Sequence, residues 1–121
     1  MRHEEGERAR VRLCAESMQA ALELGWLDIE HKFTTTHDPE KTCCTSYPEW
    51  KYRQGSMVWN LTVTVTLTDD ELEAITIHEL AHFLTDCLWG SIPEGPKKEA
   101  LVNLNELATE NVARAIMAAM R

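Results

Sequence analysis

One long segment, residues 68–89, constrains the fold of this chain more than any other. Its apolar residues recur at helical spacing, and at about 100° per residue they cover both halves of a helix surface. A helix that is apolar on both sides is expected to be a buried central helix. Thr68 and Glu71 form a capping-box pattern at its start, and Gly90 followed by Pro93 marks its end. We therefore predict a central helix over residues 68–89.

This predicted helix carries the motif His-Glu-Leu-Ala-His, of the form HExxH, at residues 78–82. His78 and His82 are four residues apart, so they lie on one face, where two imidazole nitrogens can share a zinc ion while Glu79 projects beside it. Charged groups are costly on a buried helix unless they are paired, so this set of side chains needs a purpose there. The spacing predicts a water-activating zinc site with Glu79 as its base, and it indicates hydrolysis, most often of a peptide bond.

A catalytic zinc needs three protein ligands and one open position for water, so a third ligand must be found. None of the five histidines follows the motif: they are His3, His31, His37, His78 and His82. This excludes the metzincin pattern, in which a third histidine comes shortly after the second. A carboxylate is therefore the expected third ligand.

A second helical pattern, residues 97–120, contains Asn-Glu-Leu-Ala-Thr-Glu at positions 105–110. It resembles the gluzincin zinc peptidases, whose HExxH motif is followed by a helix with an Asn-Glu pair and an acidic residue four positions after that Glu. The resemblance implies that Glu106 is the third zinc ligand and that Glu110 hydrogen-bonds a ligand histidine. Periodicity supports the first role independently, because Glu106 falls within a wide apolar arc. Asp86 and Glu99 are the alternative ligands.

An oxyanion formed during hydrolysis also needs a hydrogen-bond donor opposite the metal. In the larger relatives a His, Tyr or Arg supplies this donor, and the candidates in this chain are Tyr47, Tyr52, His37 and Arg114. The sequence does not choose between them. An extended substrate is expected to add its main-chain hydrogen bonds to the edge strand of a sheet. We predict that residues 47–52 form that edge.

The remaining pattern predicts an α+β fold, a minimal zincin-like domain over residues 1–121. An amphipathic helix is expected from about Glu5 to Leu24. Alternating apolar and polar residues predict strands at 29–36, 47–52 and 57–67 in a small antiparallel or mixed sheet. The sheet is expected to pack against the N-terminal helix, the HExxH helix and the C-terminal glutamate helix. This layout is similar to small bacterial and phage metallopeptidases of the ImmA type.

The charge of the chain limits its partners. Twenty acidic against twelve basic residues give a formal net charge of −8, and no basic stripe with interleaved aromatics occurs, so nucleic-acid binding is not expected. No apolar run approaches the roughly 18 residues of a membrane span, and the charged N-terminal residues do not resemble a secretory signal. We therefore expect a cytoplasmic protein whose partner is a protein or peptide substrate.

The four cysteines, Cys14, Cys43, Cys44 and Cys87, are not expected to form disulfides in a chain without an export signal. The adjacent Cys43-Cys44 pair also lacks the C-x-x-C spacing with which two thiolates grip one zinc. Cys14 and Cys87 are predicted to be buried among apolar neighbours. Cys43 and Cys44, in a polar loop, are predicted to be the more reactive thiols.

Three function classes are compatible with these patterns. The first is a zinc peptidase with a narrow target. The second is a non-catalytic binding or regulatory module in which zinc only clamps two helices, and such a zinc would have a fourth protein ligand, with Asp86 or Cys87 the nearest supply. The third is a domain without metal that works by surface contact. The HExxH motif favours the peptidase.

Overall fold

A computed structural model describes residues 2–36 and 41–120 of the chain. Its elements are helix α1 (Arg2–Ala21), strands β1 (Asp28–Thr34) and β2 (Cys44–Glu49), a short 3-10 helix (Trp50–Tyr52), strand β3 (Gln54–Asn60), and helices α2 (Leu61–Thr64), α3 (Asp69–Trp89), α4 (Pro96–Ala100) and α5 (Val102–Ala119). The predicted α+β class is confirmed. Within the described residues, no helix combines the length and the apolar character needed to cross a bilayer.

The three strands form one mixed sheet in the order β1-β3-β2. Strand β3 lies in the centre, parallel to β1 and antiparallel to β2. Strand β2 therefore lies at an edge of the sheet. The prediction of an edge strand over residues 47–52 is confirmed for residues 47–49, whereas residues 50–52 form the 3-10 helix.

The main core lies between one face of the sheet and helices α1 and α3. Met57 and Trp59 of β3 point into it and are completely buried, as is Val11 of α1, and Leu72 of α3 is 1% exposed. These strand residues alternate with the more exposed Val58, as expected for a sheet that helices cover on one face only. The core therefore lies on the face of the sheet that α1 and α3 cover.

Helix α3 is the central helix that its two-sided apolar pattern predicts. One side packs into the main core, and on another side Ile77 and Ala81 contact Ala113 of α5. The predicted capping box is present, since Thr68 Oγ1 accepts from the Glu71 main-chain N–H at 3.1 Å and the Glu71 carboxylate accepts from the Thr68 main-chain N–H at 2.9 Å. The helix therefore begins where predicted, and the HExxH motif lies in its middle.

The predicted strand over residues 57–67 is wrong in its second half. The strand ends at Asn60, whose side chain caps helix α2. Arg10 of α1 donates hydrogen bonds to the main-chain oxygens of Thr64 at 3.2 Å and Leu67 at 2.7 Å, which holds the following turn. Local alternation could not reveal this turn, because Arg10 is 54 and 57 positions away from the two carbonyls it binds.

Helix α1 also ends earlier than predicted, at Ala21 instead of Leu24. Glu23 has a left-handed φ of 56°, which a helix cannot continue through. The side-chain amide of Gln19 donates to the main-chain oxygens of Leu24 at 2.9 Å and Leu27 at 2.8 Å. These bonds fold the chain back toward β1.

The predicted glutamate helix over residues 97–120 is two helices, because the helix is interrupted at Leu101 between α4 and α5. Lys98 holds α4 against the end of α3. Its side chain is 9% exposed, and its Nζ lies 3.0 Å from Glu94 Oε1 and 4.9 Å from the ring centroid of Trp89. Because of this interruption, α5 packs against α3 as a helix separate from α4.

The cysteine predictions are partly wrong. All four thiols are free, and Cys14 packs against the core as predicted, but Cys87 is exposed. Cys44 lies on β2 and is 3% exposed, and Cys43 is half-buried. Burial raises the pKa of the Cys43 thiol to about 11 and raises that of Cys44 further. Both thiols therefore stay protonated near neutral pH and are poor nucleophiles.

Candidate metal centre

The HExxH side chains converge from the middle of α3. His78, Glu79 and His82 each offer one nitrogen or carboxylate oxygen, and these atoms all lie within 4.8 Å of one another. The two imidazole rings are nearly perpendicular, at 83°, with their centroids 5.0 Å apart. Their side chains are 23% and 17% exposed, so both are sheltered but reachable. Helical spacing alone produces this half of the site.

Glu106 of α5 faces both histidines. One of its carboxylate oxygens lies 3.3 Å from His78 Nε2, and the other lies 3.4 Å from His82 Nε2. Two ligand atoms that each lie 2.0–2.1 Å from a tetrahedral zinc are about 3.3–3.4 Å apart. Each separation is close to that value, although the two histidines face different oxygens of the carboxylate, and the donor set of two imidazoles and a carboxylate suits zinc.

The expectation that Glu106 lies on a buried arc of α5 is wrong. Its side chain is 53% exposed, and Leu104 and Leu107 beside it are 62% and 55% exposed. Helix α5 buries only a narrow stripe against α3, in which Thr109 and Ala113 are buried. Glu106 therefore reaches the two imidazoles from the border of the helix contact.

Glu110 lies one turn after Glu106 and contacts the other nitrogen of the His78 ring. His78 Nδ1 is 2.6 Å from Glu110 Oε2, and because a carboxylate only accepts, the Nδ1–H donates. This bond fixes the ring with its Nε2 turned toward Glu106. Arg114 in turn donates its Nε–H to Glu110 Oε1 at 3.3 Å. The contact that the resemblance implied for Glu110 is present.

Burial lowers the pKa of His82, and the adjacent charge of His78 acts in the same direction, although Glu106 opposes both. The neutral imidazole is therefore favoured near neutral pH. A metal binds a deprotonated ring nitrogen, so this shift favours ligation.

Glu79 is the most buried of the three polar side chains of the HExxH motif, with 9% of its surface exposed. Burial raises the pKa of its carboxyl, while the hydrogen bond from Ser46 and the charge of His78 oppose that shift and Glu106 adds to it. Ser46 Oγ is 2.5 Å from Glu79 Oε2 and 3.3 Å from the Glu79 main-chain oxygen. The net effect is a carboxylate that is a stronger base than an exposed glutamate.

A cleft of about 740 Å³ runs between β2, α3 and α5. Glu79, His82 and Glu106 line it together with every residue of the edge strand β2. Asp86 and Trp89 of α3 line it as well. The cleft therefore runs along the edge strand β2 beside the HExxH side chains.

The candidates for the oxyanion donor are spread over the surface. Tyr47 borders the cleft and is 56% exposed. Tyr52 is 72% exposed and borders a neighbouring hollow instead, and Arg114 is engaged with Glu110. His37 lies outside the described residues.

The alternative ligands differ in their surroundings. Glu99 is exposed on α4, and Cys87 is exposed with its thiol donating to the Leu84 main-chain oxygen at 3.8 Å. Asp86 lines the cleft one turn beyond His82. Of these residues, Asp86 shares the cleft with His82 and its charge acts on that ring, so it is the candidate for a fourth ligand.

The structure brings together the residues that the two motifs predicted, namely His78, Glu79, His82, Glu106 and Glu110. Sequence reasoning missed Ser46, because a serine in a short strand carries no signal of its own and only the pairing of β2 with β3 brings it to Glu79. Comparison of the chain with protein-family models, curated proteins and solved structures finds no match.

Proposed function

We propose that this protein is a zinc-dependent peptidase of the gluzincin type, which hydrolyses a peptide bond in a protein or peptide substrate. The observation that carries the proposal is the approach of the Glu106 carboxylate to Nε2 of His78 at 3.3 Å and to Nε2 of His82 at 3.4 Å. Glu79 lies beside these atoms in an open cleft. Three protein ligands with space for water are what a catalytic zinc site needs.

His78, His82 and Glu106 would hold the zinc. When bound, zinc supplies a Lewis acid that lowers the pKa of water and polarises the scissile carbonyl. Glu79 accepts the proton of the attacking water at its carboxylate and passes a proton to the leaving amine nitrogen as the peptide C–N bond breaks. Its raised pKa brings it closer to neutral pH, where a general base works best. Glu110 keeps the His78 ring in its binding orientation.

The edge strand β2 supports a peptide as the substrate. An edge strand presents main-chain N–H and C=O groups that an extended peptide can pair with. Because β2 lines the same cleft as Glu79, a peptide added to this edge would run past the site. Tyr47 borders this cleft through its place on β2, but the alternation of the strand turns its side chain to the face of the sheet away from Glu79.

A non-catalytic zinc module is the alternative, and it would need a fourth protein ligand. Cys87 is exposed and its thiol is directed to Leu84, so Asp86 would have to serve. The open cleft and the oriented carboxylate of Glu79 favour catalysis over a closed clamp. The free thiols fit a reducing compartment, and we propose a cytoplasmic location.

The test compares the wild type with Glu79→Gln on a large proteome-derived peptide library, with new termini detected by mass spectrometry. We expect the wild type to cleave library members, and Glu79→Gln to bind the same amount of zinc without cleaving them. Glu73→Gln, at an exposed glutamate of α3, is the matched control and should cleave as the wild type does. Equal cleavage by Glu79→Gln would remove Glu79 from the mechanism.

Zinc content separates the ligand assignments. Glu106→Ala should lower the zinc content sharply, whereas Asp86→Ala should leave it unchanged. A loss of zinc in Asp86→Ala combined with an inactive wild type would instead support the structural module.

A further inference from the structure

Ser46 lies on the edge strand β2 with its side chain toward α3. In the antiparallel register it is opposite Met57, and paired residues point to the same face of a sheet. Met57 is completely buried on the helix-covered face, so Ser46 shares that face. Its neighbours Thr45 and Tyr47 are exposed, which agrees with the alternation. The sheet thus directs this hydroxyl at the HExxH helix.

The hydroxyl of Ser46 reaches Glu79 at two places. Its Oγ lies 2.5 Å from the carboxylate Oε2 and 3.3 Å from the main-chain oxygen of the same residue. A carboxylate oxygen is acceptor-only, so Ser46 donates. Within the described part of the chain, Ser46 supplies the hydrogen bond to this carboxylate. The bond leaves both lone pairs of the other oxygen free to accept a proton.

This bond matters because a glutamate side chain turns easily about its last torsion, whose energy minima are broad. Glu79 is mostly buried, so few water molecules are available to replace a lost donor. A hydrogen bond to a charged group changes an equilibrium constant by about 10-fold to 150-fold. One such bond is enough to hold the carboxylate mainly in one orientation.

We infer that Ser46 is a positioning residue: its hydroxyl fixes the orientation of the Glu79 carboxylate and links that carboxylate to the strand on which the substrate would lie. The inference rests on the proposed function and deepens it. A base that is held in place before the substrate arrives needs no reorganisation during the reaction, which is how a positioned group raises kcat.

The contact itself is tested without an activity assay. A double-mutant cycle combines Ser46→Ala, Glu79→Ala and the double variant, with unfolding by urea of the full chain in excess zinc. We expect the two substitutions to be coupled by a factor of about 10 in the unfolding equilibrium constant. Independent effects, with a coupling factor near 1, would overturn the inference.

The role is tested on the library peptide that the wild type cleaves fastest. We expect Ser46→Ala to lower kcat by about 10-fold or more, a part of what a general base contributes, with KM and zinc content nearly unchanged. Ser56→Ala is the matched control, since Ser56 is opposite Tyr47 on the other face of the sheet. It should cleave as the wild type does.

A second pair of variants keeps the test decisive if Ser46→Ala does not fold. Ser46→Thr retains the hydroxyl, and Ser46→Val has nearly the volume of the threonine variant but carries a methyl group in place of its hydroxyl. We expect near wild-type kcat in the first and a loss of about 10-fold in the second. Equal kcat in the two variants, or a change confined to KM, would overturn the positioning role of Ser46. If Glu79→Gln is inactive in the same assay, the proposed peptidase function would still be supported. A wild type that cleaves nothing would overturn both.

Discussion

Replacing Glu110 tests whether the contact behind His78 supports metal binding. The Glu110 carboxylate accepts the Nδ1–H of His78 at 2.6 Å, so Glu110→Ala removes the group that orients this ring and raises its basicity. Loss of such a partner lowers metal affinity by about 10-fold to 100-fold. Glu110 is 41% exposed, so water can replace part of the lost bond, and we expect about 10-fold, which corresponds to about 1.4 kcal/mol.

The assay is a titration of zinc in competition with a chelating dye, which yields Kd for each variant. Glu110→Gln keeps an acceptor without the charge, so its Kd should lie between those of the wild type and Glu110→Ala. Arg114 is 77% exposed, and Arg114→Ala should change Kd by less than about 2-fold, as expected for a surface ion pair. Asn111→Ala, at an exposed neighbour on α5, is the control. A wild-type Kd in Glu110→Ala would refute this reasoning.

Three further predictions concern stability, each measured by urea unfolding. Burial lowers the pKa of His31, whose Nδ1 accepts from Trp59 Nε1–H at 3.1 Å. As the pH falls, the imidazole is therefore protonated in the unfolded chain before it is protonated in the folded one. The contribution of His31 to the free energy of unfolding is complete above about pH 6.5 and is lost as the pH falls toward the lower folded pKa. In His31→Asn the free energy of unfolding should therefore fall less between about pH 7.5 and 5.5 than it does in the wild type. An unaltered pH dependence would argue against this. A Cβ at Gly55 would lie 2.8 Å from Phe83 Cε1 and still closer to the β2 backbone. Gly55→Ala should therefore lower the free energy of unfolding by about 1–3 kcal/mol. A neutral effect would mean that β2 can shift to make room for the methyl group. Thr68→Ala removes the side-chain half of the capping box and should cost about 1 kcal/mol, whereas no loss would show that the cap is dispensable.

The sequence alone was sufficient for the parts of the site that lie on single helices. The capping box, the two-sided apolar pattern and the four-residue spacing of His78 and His82 depend on contacts within a few turns, so they can be read from positions along the chain. Glu106 and Glu110 were assigned from the resemblance to the gluzincin peptidases, and their spacing of four residues only places them on one face of α5. What the spacing could not supply was how far each helix face is buried, and so the apolar arc of α5 was predicted to be more buried than it is.

Tertiary structure decided the rest. The turn that follows β3 is held by Arg10, which binds carbonyls more than fifty positions away, whereas the alternating pattern after Asn60 predicted a strand there. Cys44 is buried because β2 pairs with β3, and the same pairing turns Ser46 toward Glu79. A side chain in a short strand acquires its neighbours from the strand order and the register of the sheet. Those are set by the packing of the whole chain, so no local pattern of residues encodes them.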